Sequence, residues 1–92
     1  MNTIDLSALD PRRRRLLYRS THRGTHENDV LIGGFVASRI GAFSEEELVE
    51  LEALLELPDP ELADWLTGRA PIPAAIESAL LRQMRDAAGD YP

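Results

Sequence analysis

The chain has 92 residues, no cysteine and a formal net charge of −6. It is long enough for one core only, and disulfides, thiolate catalysis and cysteine-ligated zinc are excluded. Residues 1–40 carry seven arginines and four acids (+3), residues 41–92 three arginines and twelve acids (−9), together −6. A basic face on an acidic body suits docking to a protein or an anionic cofactor and argues against general nucleic-acid binding.

Residues 1–9 show no clear period and read as a loose arm, residues 10–89 as the folded unit, and residues 90–92 as a tail. The N-terminus lacks the charged-then-apolar order of a secretory signal, and Asp5 and Asp10 sit badly in an acid-poor transit peptide. No apolar run approaches a membrane span, so a soluble, cytoplasmic protein is expected. Asp10-Pro11 is a helix start, with aspartate at the N-cap and proline at the first helical position. That helix is predicted to reach Ser20 or Thr21, with Leu16 and Leu17 inward, Tyr18 at an edge and Arg12 to Arg15 around its first turns.

Arg23-Gly24-Thr25-His26-Glu27 then joins the first helix to an apolar segment. Gly24 can take positive φ without steric cost, so one helix can stop and another start at a new angle. Thr25 is the expected N-cap, with Glu27 and Asp29 in the first turn, where the helix dipole favours carboxylates. Arg23 and Glu27 flank the bend, where both are expected to project toward solvent or a partner. His22 and His26 are four apart with Gly24 between them, and no third ligand has suitable spacing, so no metal site is expected.

Residues 27–40 fit a buried strand as well as a buried helix by period. Helix is preferred because a lone strand among helices has no partner for its backbone. Gly33-Gly34 in its interior costs about 2 kcal/mol relative to two alanines, and the usual reason to tolerate such a pair is close approach of another backbone. Ser44 and Glu47 form a capping box, Phe43 and Leu48 a hydrophobic staple, and Leu48, Leu51, Leu54 and Leu55 follow helical spacing until Pro58. Asp59-Pro60 repeats the start signal for a short fourth helix with Leu62, Trp65 and Leu66 on its inner side and Gly68 as its stop. A last helix is predicted over about residues 74–88, with Ile76, Leu80, Met84 and Ala87 inward. The expected fold is all-α: a single-domain, small five-helix bundle.

Leu16-Leu17-Tyr18-Arg19-Ser20, Arg23-Gly24-x-x-Glu27 with Asp29, and Pro58-Asp59-Pro60-x-Leu62 followed by Trp65-Leu66 together resemble the succinate dehydrogenase assembly factor 2 family, also called SdhE or flavinator proteins. The resemblance covers about residues 12–88. It implies a five-helix bundle without catalytic residues that binds the flavoprotein subunit of succinate dehydrogenase, or of fumarate reductase, and promotes covalent attachment of FAD to a histidine of that subunit. FAD itself is not held stably, and a monomer is expected. Carried over by motif, Arg23, Gly24 and Glu27 meet the flavoprotein. Arg19 and Asp29 are flanking partner-binding candidates, and His26 lies inside the motif. Arg23 is expected to offer its planar donor fork to the partner, and Glu27 to accept from the partner or orient Arg23. The alternative is a small acidic regulatory or antitoxin-like module using the Arg12–Arg15 face. An enzyme is the least favoured reading, since no nucleophile, metal set or phosphate loop accompanies His26 and Glu27.

Overall fold

The computed structural model describes residues 6–89. Five helices follow in order: α1 (Pro11–Thr21), α2 (His26–Arg39), α3 (Glu45–Leu55), α4 (Asp59–Leu66) and α5 (Ala79–Ala88), with short 3-10 turns at Leu6–Ala8 and Ile40–Ala42. No strand occurs among the described residues, as expected. Of the arm expected over residues 1–9, residues 1–5 lie outside the described residues, as does the tail at 90–92. The remainder is not loose: Leu9 is buried in the core, and its carbonyl accepts from Arg14 Nη1 at 2.7 Å.

Local chemistry sets most boundaries. Pro11 opens α1, but Asp10 makes no side-chain cap and instead accepts from Arg13 Nη1 at 2.9 Å. Thr25 caps α2, its Oγ1 accepting from the Asn28 amide at 3.4 Å. The capping box of α3 is complete: Glu47 N donates to Ser44 Oγ at 3.1 Å, and Ser44 N to Glu47 Oε1 at 2.8 Å. Two starts differ from expectation. α4 begins at Asp59 rather than after it, with Pro58 at the N-cap position and the Asp59 carboxylate engaged elsewhere. α5 begins five residues late, at Ala79, because Ser78 Oγ accepts from Leu81 N at 3.1 Å while Glu50 Oε1 reaches across from α3 to the Leu80 amide, also at 3.1 Å. Both bonds satisfy N–H groups that a helix start leaves without partners.

The second helix is the hub, packing on α1, α4 and α5, while α3 covers α1 and α5. Ile32, Val36, Leu51 and Leu62 are completely buried. The glycine pair divides its work. A Cβ on Gly33 would lie 2.9 Å from Thr21 Cγ2 and 3.0 Å from the Ser20 carbonyl, so α1 crosses there at backbone distance; a Cβ on Gly34 would meet nothing within 4 Å. Trp65, expected in the core, is only partly buried at its edge. Tyr18 and Val49 are the exposed large hydrophobic residues among those described, so the apolar faces of α2 are covered. No helix among the described residues is long and apolar enough to cross a membrane.

Candidate functional site

The joint between α1 and α2 is made by Gly24, whose φ of +97° is a conformation other residues rarely adopt. A Cβ there would meet no atom of the chain within 4 Å, so the turn is open to its surroundings. The turn is closed locally by Asp29, whose Oδ1 accepts from the Arg23 backbone amide at 2.6 Å. Of the partner-binding candidates, Asp29 therefore has one carboxylate oxygen committed inside the chain.

Arg23 departs from expectation. Its side chain does not reach outward; it turns into the corner between α3 and α4 and is 10% exposed. Nε donates to Asp59 Oδ1 at 2.9 Å, Nη1 to the Leu55 carbonyl at 2.5 Å and Nη2 to the Leu57 carbonyl at 2.8 Å. The physical reason lies in α3, which ends at Leu55 and leaves carbonyls without helical partners; a guanidinium presents donors in a fixed fork that suits them. The fork expected to grip a partner thus joins two corners of the chain itself. Nor do Arg23 and Glu27 form an ion pair with each other: Glu27 accepts instead from Arg69 Nη2 at 3.4 Å on the surface.

Asn28, completely buried, completes the corner. Its Nδ2 donates to the Asp59 carbonyl and to Asp59 Oδ1, both at 3.0 Å. Asn28 Oδ1 has no partner among the described residues. Asp59 and Asn28 are not among the partner-binding residues expected from the sequence; Asp59 stands there as a helix start and within the Pro58-Asp59-Pro60 motif, with its carboxylate expected at a helix cap.

Between these anchors, Gly24, Thr25 and His26 are exposed and Glu27 half-exposed. Beside them, Tyr18 is 63% exposed and stacks on His22, with ring centroids 3.9 Å apart and planes 13° from parallel. His22 Nδ1 lies 2.9 Å from the Tyr18 carbonyl and 3.0 Å from Thr21 Oγ1, which tie the ring to the end of α1. Tyr18, Arg19, His22, Arg23 and Asp59 line a shallow hollow of about 320 Å³. Arg19 is held by Glu56 at 2.5 Å, across from α1 to the end of α3. Tyr18 lies in the last turn of α1 and His22 at its C-cap, and this four-residue spacing was the available signal for the stack.

The Arg12–Arg15 cluster is largely structural. Arg12 is bidentate on Glu52, at 3.0 and 2.8 Å, and also meets Glu45. Arg13 donates to the Ile40 and Phe43 carbonyls at 3.0 and 2.6 Å, closing the turn before α3. The hydrogen bond from Arg12 holds the Glu52 carboxyl below the usual carboxylate range, and the bond from Arg13 does the same for Asp10. Three of the four arginines thus serve the fold, which removes most of the basic face that an antitoxin-like module would use. No cluster of three or more histidine or acidic side chains suited to a metal ion occurs among the described residues.

The model of a family described as the flavinator of succinate dehydrogenase matches residues 14–88. The chain is similar to the FAD assembly factor SdhE of Acetobacter pasteurianus, 53% identical over 76 residues that cover 83% of this chain and 70% of that protein. It is also similar to the mitochondrial succinate dehydrogenase assembly factor 2 of Dictyostelium discoideum (35% over 78 residues) and of Saccharomyces cerevisiae (38% over 82 residues). In each case 85% of this chain is matched, but it spans only about half of the relative, 55% and 51%.

Proposed function

Because the chain belongs to the succinate dehydrogenase flavinator family, we propose that it is an FAD assembly factor: it binds the flavoprotein subunit of succinate dehydrogenase and promotes covalent attachment of FAD to that subunit. Fumarate reductase is a second client of the same chemistry. The chain acts as a monomer in the cytoplasm, holds no FAD of its own, and supplies position in place of a reacting side chain. Attack of the client's histidine on the flavin is chemistry the flavin and its host can perform once both are aligned. Alignment of reacting groups is worth several kcal/mol by itself.

The observation that carries this reading is the arc Gly24–Glu27: a positive-φ glycine with empty space around it, followed by exposed polar residues and fixed at both ends to the bundle. Gly24 lets another backbone come close, and His26 and Glu27 stand beside it to receive donors or acceptors. Glu27 has one weak surface partner, Arg69, to exchange for a partner's donor. Arg19, Tyr18 and His22 widen the contact along α1. Arg23 contributes from within, by holding the arc, and not as a fork offered to the client.

The test is flavin fluorescence of the denatured flavoprotein subunit after co-expression with the chain. Gly24→Arg strains the turn and fills the open approach, and Glu27→Ala removes the exposed acceptor; each should lower covalent flavin by about tenfold, the range of an interface hot spot. Undiminished covalent flavin with both variants would overturn the reading.

A further inference from the structure

One carboxylate oxygen holds both ends of the arc. Asp59 Oδ1 accepts from Arg23 Nε at 2.9 Å and from Asn28 Nδ2 at 3.0 Å, and these two residues bracket Gly24–Glu27 in sequence. The Asp59 backbone carbonyl accepts from the same Asn28 amide group, again at 3.0 Å, so the second anchor is doubled. Asp59 itself is fixed as the first residue of α4, between Pro58 and Pro60, where its backbone has little freedom. The clasp is mostly shielded from water, with Arg23, Asp59 and Asn28 side chains 10%, 24% and 0% exposed. In such surroundings a charge-assisted bond carries more weight than at an exposed site.

We propose that Asp59 is a positioning residue for client recognition. Standing 36 positions along the chain from Arg23, it sets the separation and orientation of the two ends of the arc, and through them the surface that Gly24, His26 and Glu27 present. It touches no client atom. This part rests on the reading that the arc meets the flavoprotein. The physical claim beneath it, that Asp59 orders the arc, concerns the free chain alone. Without the carboxylate, Arg23 keeps its two carbonyl bonds and Asn28 keeps one acceptor. The bundle is therefore expected to persist while the arc loses its fixed shape, and a flexible arc must be ordered again on binding.

The experiment uses the full chain and the purified flavoprotein subunit. For Asp59→Ala the dissociation constant should rise about tenfold, the loss of one charge-assisted bond read as affinity, while the rate of covalent attachment at saturating helper stays near wild type. Asp59→Asn keeps an acceptor but not the charge and should fall between, about threefold weaker than wild type. Arg23→Ala with Asp59→Ala should be no worse in affinity than the weaker of the two single variants, because the two side chains act as one unit. Amide exchange of the free variant should quicken about tenfold or more over residues 24–28 and remain unchanged in α5.

Wild-type affinity for a folded Asp59→Ala chain would overturn the proposal. So would quickened exchange spread evenly over all helices, with affinity restored once the folded fraction is corrected for, since that marks a merely structural role. If Asp59→Ala fails to fold, Asp59→Asn decides by the same two readouts: weaker binding with local exchange supports it, and wild-type behaviour overturns it. Should the wild-type chain not bind the flavoprotein at all, the proposed function fails, and the exchange pattern of the free chain still decides whether Asp59 orders the arc.

Discussion

Two sets of arginines leave α1 and its end, and they meet different fates. Arg12 crosses to α3 and pairs with Glu45 and Glu52 along a wet seam, where the three side chains are 29%, 72% and 41% exposed. Arg23 enters the corner between α3 and α4, where it and Asp59 are 10% and 24% exposed. In the seam, water competes for every hydrogen bond, and pairs of that kind contribute little to stability. In the corner, the guanidinium replaces water for two carbonyls at the end of α3, and its loss leaves them without that donor and the Asp59 charge without its ion-pair partner. Residue type and charge are the same in both places. Burial decides which arginine the fold and the arc depend on.

The comparison can be broken most directly by Arg23→Ala. It should lower the unfolding free energy by about 2–4 kcal/mol, the range for removing one partner from a largely buried charged network. Urea unfolding measures this, and a loss below about 0.5 kcal/mol would place the corner in the same class as the seam. A smaller effect sharpens the comparison through the glycine pair of α2. Gly33→Ala forces a methyl group against the Thr21 and Ser20 backbone and should cost about 1–3 kcal/mol. Gly34→Ala meets open space and should stabilise by up to about 1 kcal/mol. Thermal unfolding of the two single variants reads the opposite signs.

The smallest effect lies in the seam and is a matter of pH. Arg12 holds the folded-state carboxyl of Glu52 below its unfolded value, so the folded chain binds fewer protons in acid. The seam's contribution is therefore complete above the unfolded carboxylate range, near pH 4.5, and is lost as pH falls through the lowered folded value. Glu52→Gln should flatten that acid limb, matching wild type in strong acid and losing the seam's small contribution at neutral pH. Acid unfolding curves for wild type and variant provide the check, and parallel curves would remove Glu52 from the account.

Local signals in the sequence located most of the fold. The Ser44–Glu47 capping box, Thr25 as N-cap, Pro11 at the start of α1 and Gly24 as the turn all rest on chemistry within four residues, and the structure repeats each one. Features that depend on distant partners were not legible. Nothing near Arg23 reveals that Leu55 and Leu57 leave carbonyls for it, because those residues lie more than thirty positions away. The same holds for α5, whose start is fixed partly by Glu50 of α3, 30 positions earlier in the chain. Asp59 was recognised as a helix-start residue, but tertiary demand from Arg23 and Asn28 drew its carboxylate away from capping. The arc could be found in the sequence; its clasp could not.

The central claim is that a surface of residues 24–27, held from within by Arg23 and Asp59, receives the flavoprotein. Amide exchange of the chain with and without the purified flavoprotein subunit tests it in one measurement. Protection on binding should concentrate at Gly24–Glu27 and the adjoining end of α1 around His22. Protection confined to the outer face of α3 around Val49, with the arc exchanging as it does in the free chain, would contradict it.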